Sequence, residues 1–150
     1  MPARRTVPDK EFTAPGYLPG DIYHLVLFAY KPSVTPAQRQ AIITRFLTMI
    51  DRCVRDKKPY IVSIDSGLPN GFEGQEKGFE QAFVVRFRSE GDRNFYVGTP
   101  KVTHPDYYDP VHHQFKDFVG PLLGNVLVYD FRAGSQEPIV PIPEPIPRSR

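Results

Sequence analysis

Proton transfer near neutral pH calls first for histidine, and the chain has four: His24, His104, His112 and His113. His112 follows Asp109-Pro110, a pair that reads as a helix cap and first helical residue, so its ring sits beside the positive end of a helix dipole. That placement disfavours imidazolium and leaves a ring nitrogen able to accept a proton. His104, Asp106, Asp109, His112 and His113 have the side chains a divalent ion prefers, but their spacing matches no metal-binding signature. Asp109 is better read as the cap, and no metal is expected. Cys53 is the only cysteine, which excludes an intrachain disulfide and a thiolate zinc cage. Its helical spacing with apolar residues makes it a core residue.

These side chains need a frame, and the periodicities supply one. Residues 22–30 (IYHLVLFAY) form a β-rich run with His24, Val26, Phe28 and Tyr30 on one face and Leu25, Leu27 and Ala29 on the other. Both faces are apolar. Thr35-Pro36-Ala37-Gln38 carries an N-cap, a proline at the first helical position and a capping-box glutamine. Ile43, Phe46, Leu47, Ile50, Cys53 and Val54 then recur at helical spacing, predicting a helix that ends near 55–58, before Pro59. Residues 60–66 and 79–88 read as strands around a glycine-rich loop over 67–78, a candidate pocket rim. Ser89 caps a short helix to residue 97, and two prolines keep 98–108 irregular. A second main helix runs from Asp109-Pro110 to about 123, with Val111, Phe115, Phe118, Val119 and Leu122 inward. Residues 125–132 form a last strand.

The order strand, helix, strand, strand, helix, strand predicts an α+β, ferredoxin-like subunit: a four-stranded antiparallel sheet with helices on one face. Strands apolar on both faces, with no helix left for the second, imply that another copy covers it, so a homodimer is expected. Three segments follow: an irregular arm over 1–20, one domain over 21–133, and a proline-rich tail over 134–150 that runs along the surface or hangs free.

Composition narrows the function classes. A chain of 150 residues with 40% hydrophobic content suits a single core. No stretch approaches the roughly 18–20 apolar residues that cross a bilayer, and the first residues lack a secretory apolar run, so a cytoplasmic, membrane-free protein is expected. The net charge of +2 sits in the ends, with +2 in residues 1–10 and +1 in 132–150, leaving the middle at −1. A near-neutral middle offers phosphate backbones no basic face, and nucleic-acid binding is not expected.

HLVLF at 24–28, GFEQAFVVRF at 78–87, DRNFYV at 92–97, DPVHHQF at 109–115 and VLVYDF at 126–131 together resemble the stress-responsive dimeric α+β barrel (Dabb) family, fungal members above all. The most telling piece is Pro110, His112 and Phe115 in their mutual spacing. The resemblance implies a ferredoxin-like subunit paired into a barrel, with a pocket between sheet and helices and no cofactor. It also implies a distant similarity to a plant member, olivetolic acid cyclase, which closes a linear polyketide by aldol condensation.

Carried over, the catalytic histidine falls on His112, its supporting aspartate on Asp130 and a pocket histidine on His24. Phe28, Gln81 and Phe83 would line the same pocket. The cyclase's tyrosine falls on Asp106, leaving Tyr96 and Tyr107 as alternative acids, and its second pocket histidine is replaced by Gln81. If Asp130 held one nitrogen of His112, the other would serve as general base while a tyrosine polarised a carbonyl. The expected function is a cofactor-free acid/base enzyme on a small apolar or aromatic carbonyl compound. The alternative is a non-catalytic ligand-binding dimer, and a cofactor-independent monooxygenase ranks below both.

Overall fold

Strand β1 (Pro19–Tyr30) runs through the middle of a sheet in a computed structural model that describes residues 7–136. It pairs antiparallel with β5 (Gln81–Ser89) on one side and β6 (Leu123–Arg132) on the other, and β4 (Ser63–Gly67) lies outside β5. Helix α2 (Pro36–Arg52) links the first strand to the second. Helices α3 (Glu90–Val97) and α4 (Pro110–Val119) link the third to the fourth. This is the predicted ferredoxin-like arrangement.

Alternation decides which residues face the helices. Ile22, His24, Val26, Phe28 and Tyr30 are buried on β1, and Gln81, Phe83, Val85 and Phe87 on β5. Because Val26 lies opposite both Phe83 and Val128, one layer of side chains crosses three strands. Phe46 of α2 stacks flat on Phe83 at 3.8 Å, and Phe28 and Phe115 meet Phe46 edge-on. Truncating a buried phenylalanine of this kind costs about 3–5 kcal/mol, so the cluster anchors α2 and α4 to the sheet.

The helix starts follow the sequence. Thr35 accepts from Gln38 N while the Gln38 side chain accepts from Thr35 N, a complete capping box. Ser89 accepts from Asp92 N at the start of α3. The ends differ. Helix α2 stops at Arg52, earlier than predicted, because Asp56 and Lys57 adopt positive φ and turn the chain into a small hairpin of β2 (Val54–Arg55) and β3 (Lys58–Pro59). Its most buried residues are Ile42, Phe46, Met49 and Cys53, a stripe rotated from the predicted one, with Ile43, Leu47 and Ile50 at its margin. Tyr60 and Ile61 are buried but precede β4 rather than belonging to it. Helix α4 gives way after Val119 to a 3-10 turn over Gly120–Leu122.

The arm is not wholly irregular. Helix α1 (Asp9–Phe12) packs on α3, and Asn94 Nδ2 donates to the Phe12 carbonyl at 2.9 Å. Gly91 permits the approach: a Cβ there would meet the Ala14 carbonyl oxygen at 1.7 Å. The proline-rich tail beyond 136 lies outside the described residues.

Among the described residues nothing covers the opposite sheet face. Tyr23, Leu25 and Leu27 are only half-buried there, and Leu127, Tyr129 and Phe131 of β6 are exposed, with Tyr23 stacked on Phe131.

Candidate functional site

Between the sheet and helices α3 and α4 lies a cavity of about 340 Å³, walled chiefly by apolar side chains with His24, Tyr96, His112 and Lys116 among them. Its size and its few polar groups suit a small organic ligand.

His112 is placed by the start of α4. Asp109 Oδ1 accepts from Val111 N at 2.8 Å and His112 N at 3.4 Å, while Oδ2 accepts from the Tyr60 hydroxyl at 2.6 Å. The cap is thus itself fixed from the core. The ring lies flat against Tyr96, centroids 3.7 Å apart, and Nδ1 donates to the Tyr96 carbonyl oxygen at 2.5 Å. A carbonyl can only accept, so the proton is on Nδ1 and the lone pair on Nε2. Burial lowers the imidazole to about 3. Desolvation is the main cause, and His112 is therefore neutral but a weak base.

The supporting aspartate belongs to the other histidine. His24 Nδ1 lies 2.7 Å from Asp130 Oδ1, and Arg93 donates to Asp130 Oδ2 at 2.8 Å. The expected pairing of Asp130 with His112 is corrected here, and the reason is register: His24 and Asp130 are direct cross-strand partners on β1 and β6. Burial pushes the Asp130 carboxyl upward, but the hydrogen bonds and charges of His24 and Arg93 outweigh it and hold the carboxyl below its ordinary value. An ionised Asp130 can only accept, so His24 carries a proton on Nδ1 and turns Nε2 away from the carboxylate.

Of the two tyrosines, the fold brings Tyr96 to the cavity and leaves Tyr107 outside, in a 3-10 turn beside His104. The Tyr96 hydroxyl is buried without a hydrogen-bond partner among the described residues, and desolvation holds it as the neutral phenol, able to donate. Phe28 lines the cavity as expected. Phe83 does not: it is fully buried in the stack with Phe46. Gln81 does not either, because its amide donates to the carbonyls of Gly67 and Ala82 at the far end of β5. Asp109 is taken up as a cap, His104 Nδ1 accepts from Asp106 N, and among the described residues no three potential ligands cluster for a metal.

Lys116 was not predicted. Its ammonium donates to the carbonyls of Val97 and Thr99 and to the Thr99 hydroxyl, at 2.8–3.2 Å, fastening α4 to the end of α3. Arg93 was also missed, although it stands in the DRNFYV segment; Glu90 and Asn94 are partners within α3, but Asp130 lies on β6, and only a register could have revealed it. Among the described residues no helix is long and apolar enough to cross a membrane.

A four-stranded sheet in ferredoxin-like order, with a cavity beneath its helices and two histidines in the wall, defines a ferredoxin-like α+β domain with an internal pocket. The sequence profile of the stress responsive A/B barrel domain, Dabb, matches residues 22–133, and the chain belongs to that family. No curated protein sequence matches it. Among solved structures it is similar to the hydroxynitrile lyase of Passiflora edulis, at 20% identity and TM-score 0.64 over 80% of this chain and 99% of that one. It is also similar to an Arabidopsis thaliana protein, at 20% identity and TM-score 0.62 over 77% and 98%. A dimeric ferredoxin-like protein of unknown function from Thermobifida fusca aligns at 20% identity and TM-score 0.57 over 78% and 95%.

Proposed function

We propose that the chain is a cofactor-free acid/base enzyme acting on a small apolar carbonyl compound, with His24 rather than His112 as the general base. The observation that carries the reading is His24, which lines the apolar cavity and is bonded through Nδ1 to Asp130, itself held from behind by Arg93. Asp130 fixes the tautomer of His24 and stabilises the imidazolium that forms when Nε2 takes a proton, and Arg93 keeps Asp130 ionised. His112, held neutral with Nε2 as acceptor, orients a substrate hydroxyl. The Tyr96 hydroxyl donates to the carbonyl oxygen as negative charge develops on it. In sequence, His24 takes a proton from the carbon beside the carbonyl, an enolate forms, and the enolate carbon attacks a second carbonyl of the same molecule. His24 then returns its proton to the new alkoxide, which is aldol chemistry of the cyclase type. A hydroxynitrile lyase stands among the structural neighbours of the same fold, in keeping with an enzyme reading.

The reading includes a homodimer. Dimeric ferredoxin-like neighbours support it, as does the uncovered apolar sheet face with Leu127, Tyr129 and Phe131. A non-catalytic ligand-binding dimer is the second reading, favoured by the one internal bond that each pocket histidine already has.

Deuterium exchange separates the two without a known substrate. Medium-chain methyl ketones and β-diketones are incubated with the protein in D2O, and loss of the α-proton signal is followed by NMR. Exchange above the buffer rate, abolished in His24→Gln and lowered at least tenfold in Asp130→Asn, is expected of the enzyme. Ketone binding with no exchange above buffer selects the binding module.

A further inference from the structure

A second cavity, of about 510 Å³, adjoins the first and shares His24, Val97 and Val128 with it. The two differ in chemistry. Around the first are Phe28, Phe46 and Phe115; around the second are Arg93, Asn94, Lys101 and Asp130. The second is also walled in part from outside the sheet and its helices α2 and α4. Phe12 precedes the family match at residue 22, and Lys101 lies in the irregular stretch between α3 and α4.

Most of the polar groups in the second cavity are already matched. Arg93 gives Nε to Asn94, one terminal nitrogen to Asp130 and the other to Glu90. Both oxygens of Asp130 are occupied by His24 and Arg93, and the Asn94 amide donates to the Phe12 carbonyl. Lys101 alone of the charged lining residues has no hydrogen bond or ion pair among the described residues. Among the described residues the cavity therefore has one unmatched positive charge, beside a first cavity that is apolar.

We infer that the ligand is an elongated carboxylate whose apolar chain fills the first cavity and whose acid group pairs with Lys101 in the second, so that the chain passes His24 between them. This rests on the reading of the first cavity as a binding site for an apolar carbonyl compound, and it adds the polar end of the molecule. A carboxylate suits a single ammonium with the remaining guanidinium N–H groups of Arg93 beside it. A cationic head finds no free carboxylate there, since Asp130 is saturated. Placing the carboxylate at Lys101 sets the carbons next to it near His24, the region where the proposed base acts.

The test compares decanoate with 2-decanone, measured by titration calorimetry against the full-length wild type, Lys101→Ala and Lys101→Glu. Lys101 is exposed and makes no hydrogen bond or ion pair among the described residues, so both variants keep the fold. Decanoate affinity is expected to fall about threefold in Lys101→Ala and about tenfold in Lys101→Glu, and to weaken with added salt in the wild type. The binding of 2-decanone stays unchanged across all three proteins. Decanoate binding that ignores both substitutions, with 2-decanone still bound, overturns the inference and leaves the first cavity's reading intact. Decanoate binding that depends on Lys101 while 2-decanone fails to bind upholds the carboxylate site and removes the carbonyl reading. Binding of neither overturns both.

Discussion

If His112 is a buried neutral histidine, it imposes a pH dependence on stability that can be worked out and isolated. Its folded value is lowered from 6.5 to about 3, chiefly by desolvation. Between those two values the unfolded chain takes up a proton that the folded chain does not, so stability is fully present above about pH 6.5 and is lost as pH falls toward 3. The limiting slope is about 1.4 kcal/mol per pH unit, which amounts to about 2 kcal/mol between pH 7 and pH 5. His112→Phe keeps an aromatic ring against Tyr96 and removes the titration. The variant loses some stability at every pH, about 1–3 kcal/mol, because the Tyr96 carbonyl is left without its donor. That offset does not matter: the readout is the difference in slope, and every other titrating group is common to both proteins. Urea unfolding at pH 7, 6 and 5 should show the wild type losing about 2 kcal/mol more than the variant over that range. Equal losses in the two proteins would refute the buried neutral assignment, and with it the claim that Nε2 of His112 is an acceptor only.

Further expectations follow from contacts outside the pocket. Tyr60→Phe leaves Asp109 Oδ2 buried without its donor, and should cost about 1.5–3 kcal/mol in urea unfolding while shifting the NMR signals of His112 at the start of α4. Gly91→Ala drives a methyl group into the Ala14 carbonyl, so the arm should detach and residues 7–17 should become a site of rapid limited proteolysis. Tyr129→Glu puts a charge in the middle of the uncovered apolar face, and light scattering should find the dimer converted to monomer at micromolar concentration. A wild type that is monomeric at high concentration would end the dimer reading outright.

The elements that position the site were legible because their signals are local. A capping box at Thr35 and Gln38, a serine before α3 and Asp109-Pro110 before α4 each announce a helix start within four residues, and all three caps form. The end of α2 was legible only as a limit set by Pro59; a hairpin turn at Asp56 and Lys57, neither of them glycine, supersedes the helical spacing of Cys53 and Val54 and ends the helix at Arg52. The arm was read as irregular because what orders it is tertiary: a glycine and an asparagine on α3, far along the chain, receive it. Gln81 and Phe83 were placed in the pocket by position alone. One is spent on the carbonyls of its own sheet edge and the other on an aromatic stack, and neither partner is visible in the sequence around them.

The exchange of partners between the two histidines shows what a site residue's position leaves undetermined. A resemblance transfers positions, and it put His24, His112 and Asp130 in one pocket; which histidine the aspartate serves depends on the pairing of β1 with β6. Once Val26 is opposite Val128, antiparallel register puts His24 opposite Asp130, and the two share a face of the sheet. His112 comes from a helix above that face and must find its hydrogen bond elsewhere, at a carbonyl of α3. The chemical consequence is a division between the two rings. His24 has a carboxylate beside its ring, whereas His112 is bonded to a carbonyl in a desolvated wall that holds it neutral. The first can carry a proton through a reaction and the second can only hold a substrate in place, so His24→Gln and His112→Phe should separate turnover from binding: exchange of the α-proton is lost in the first with ketone affinity largely kept, and affinity falls in the second with exchange of the bound ketone persisting.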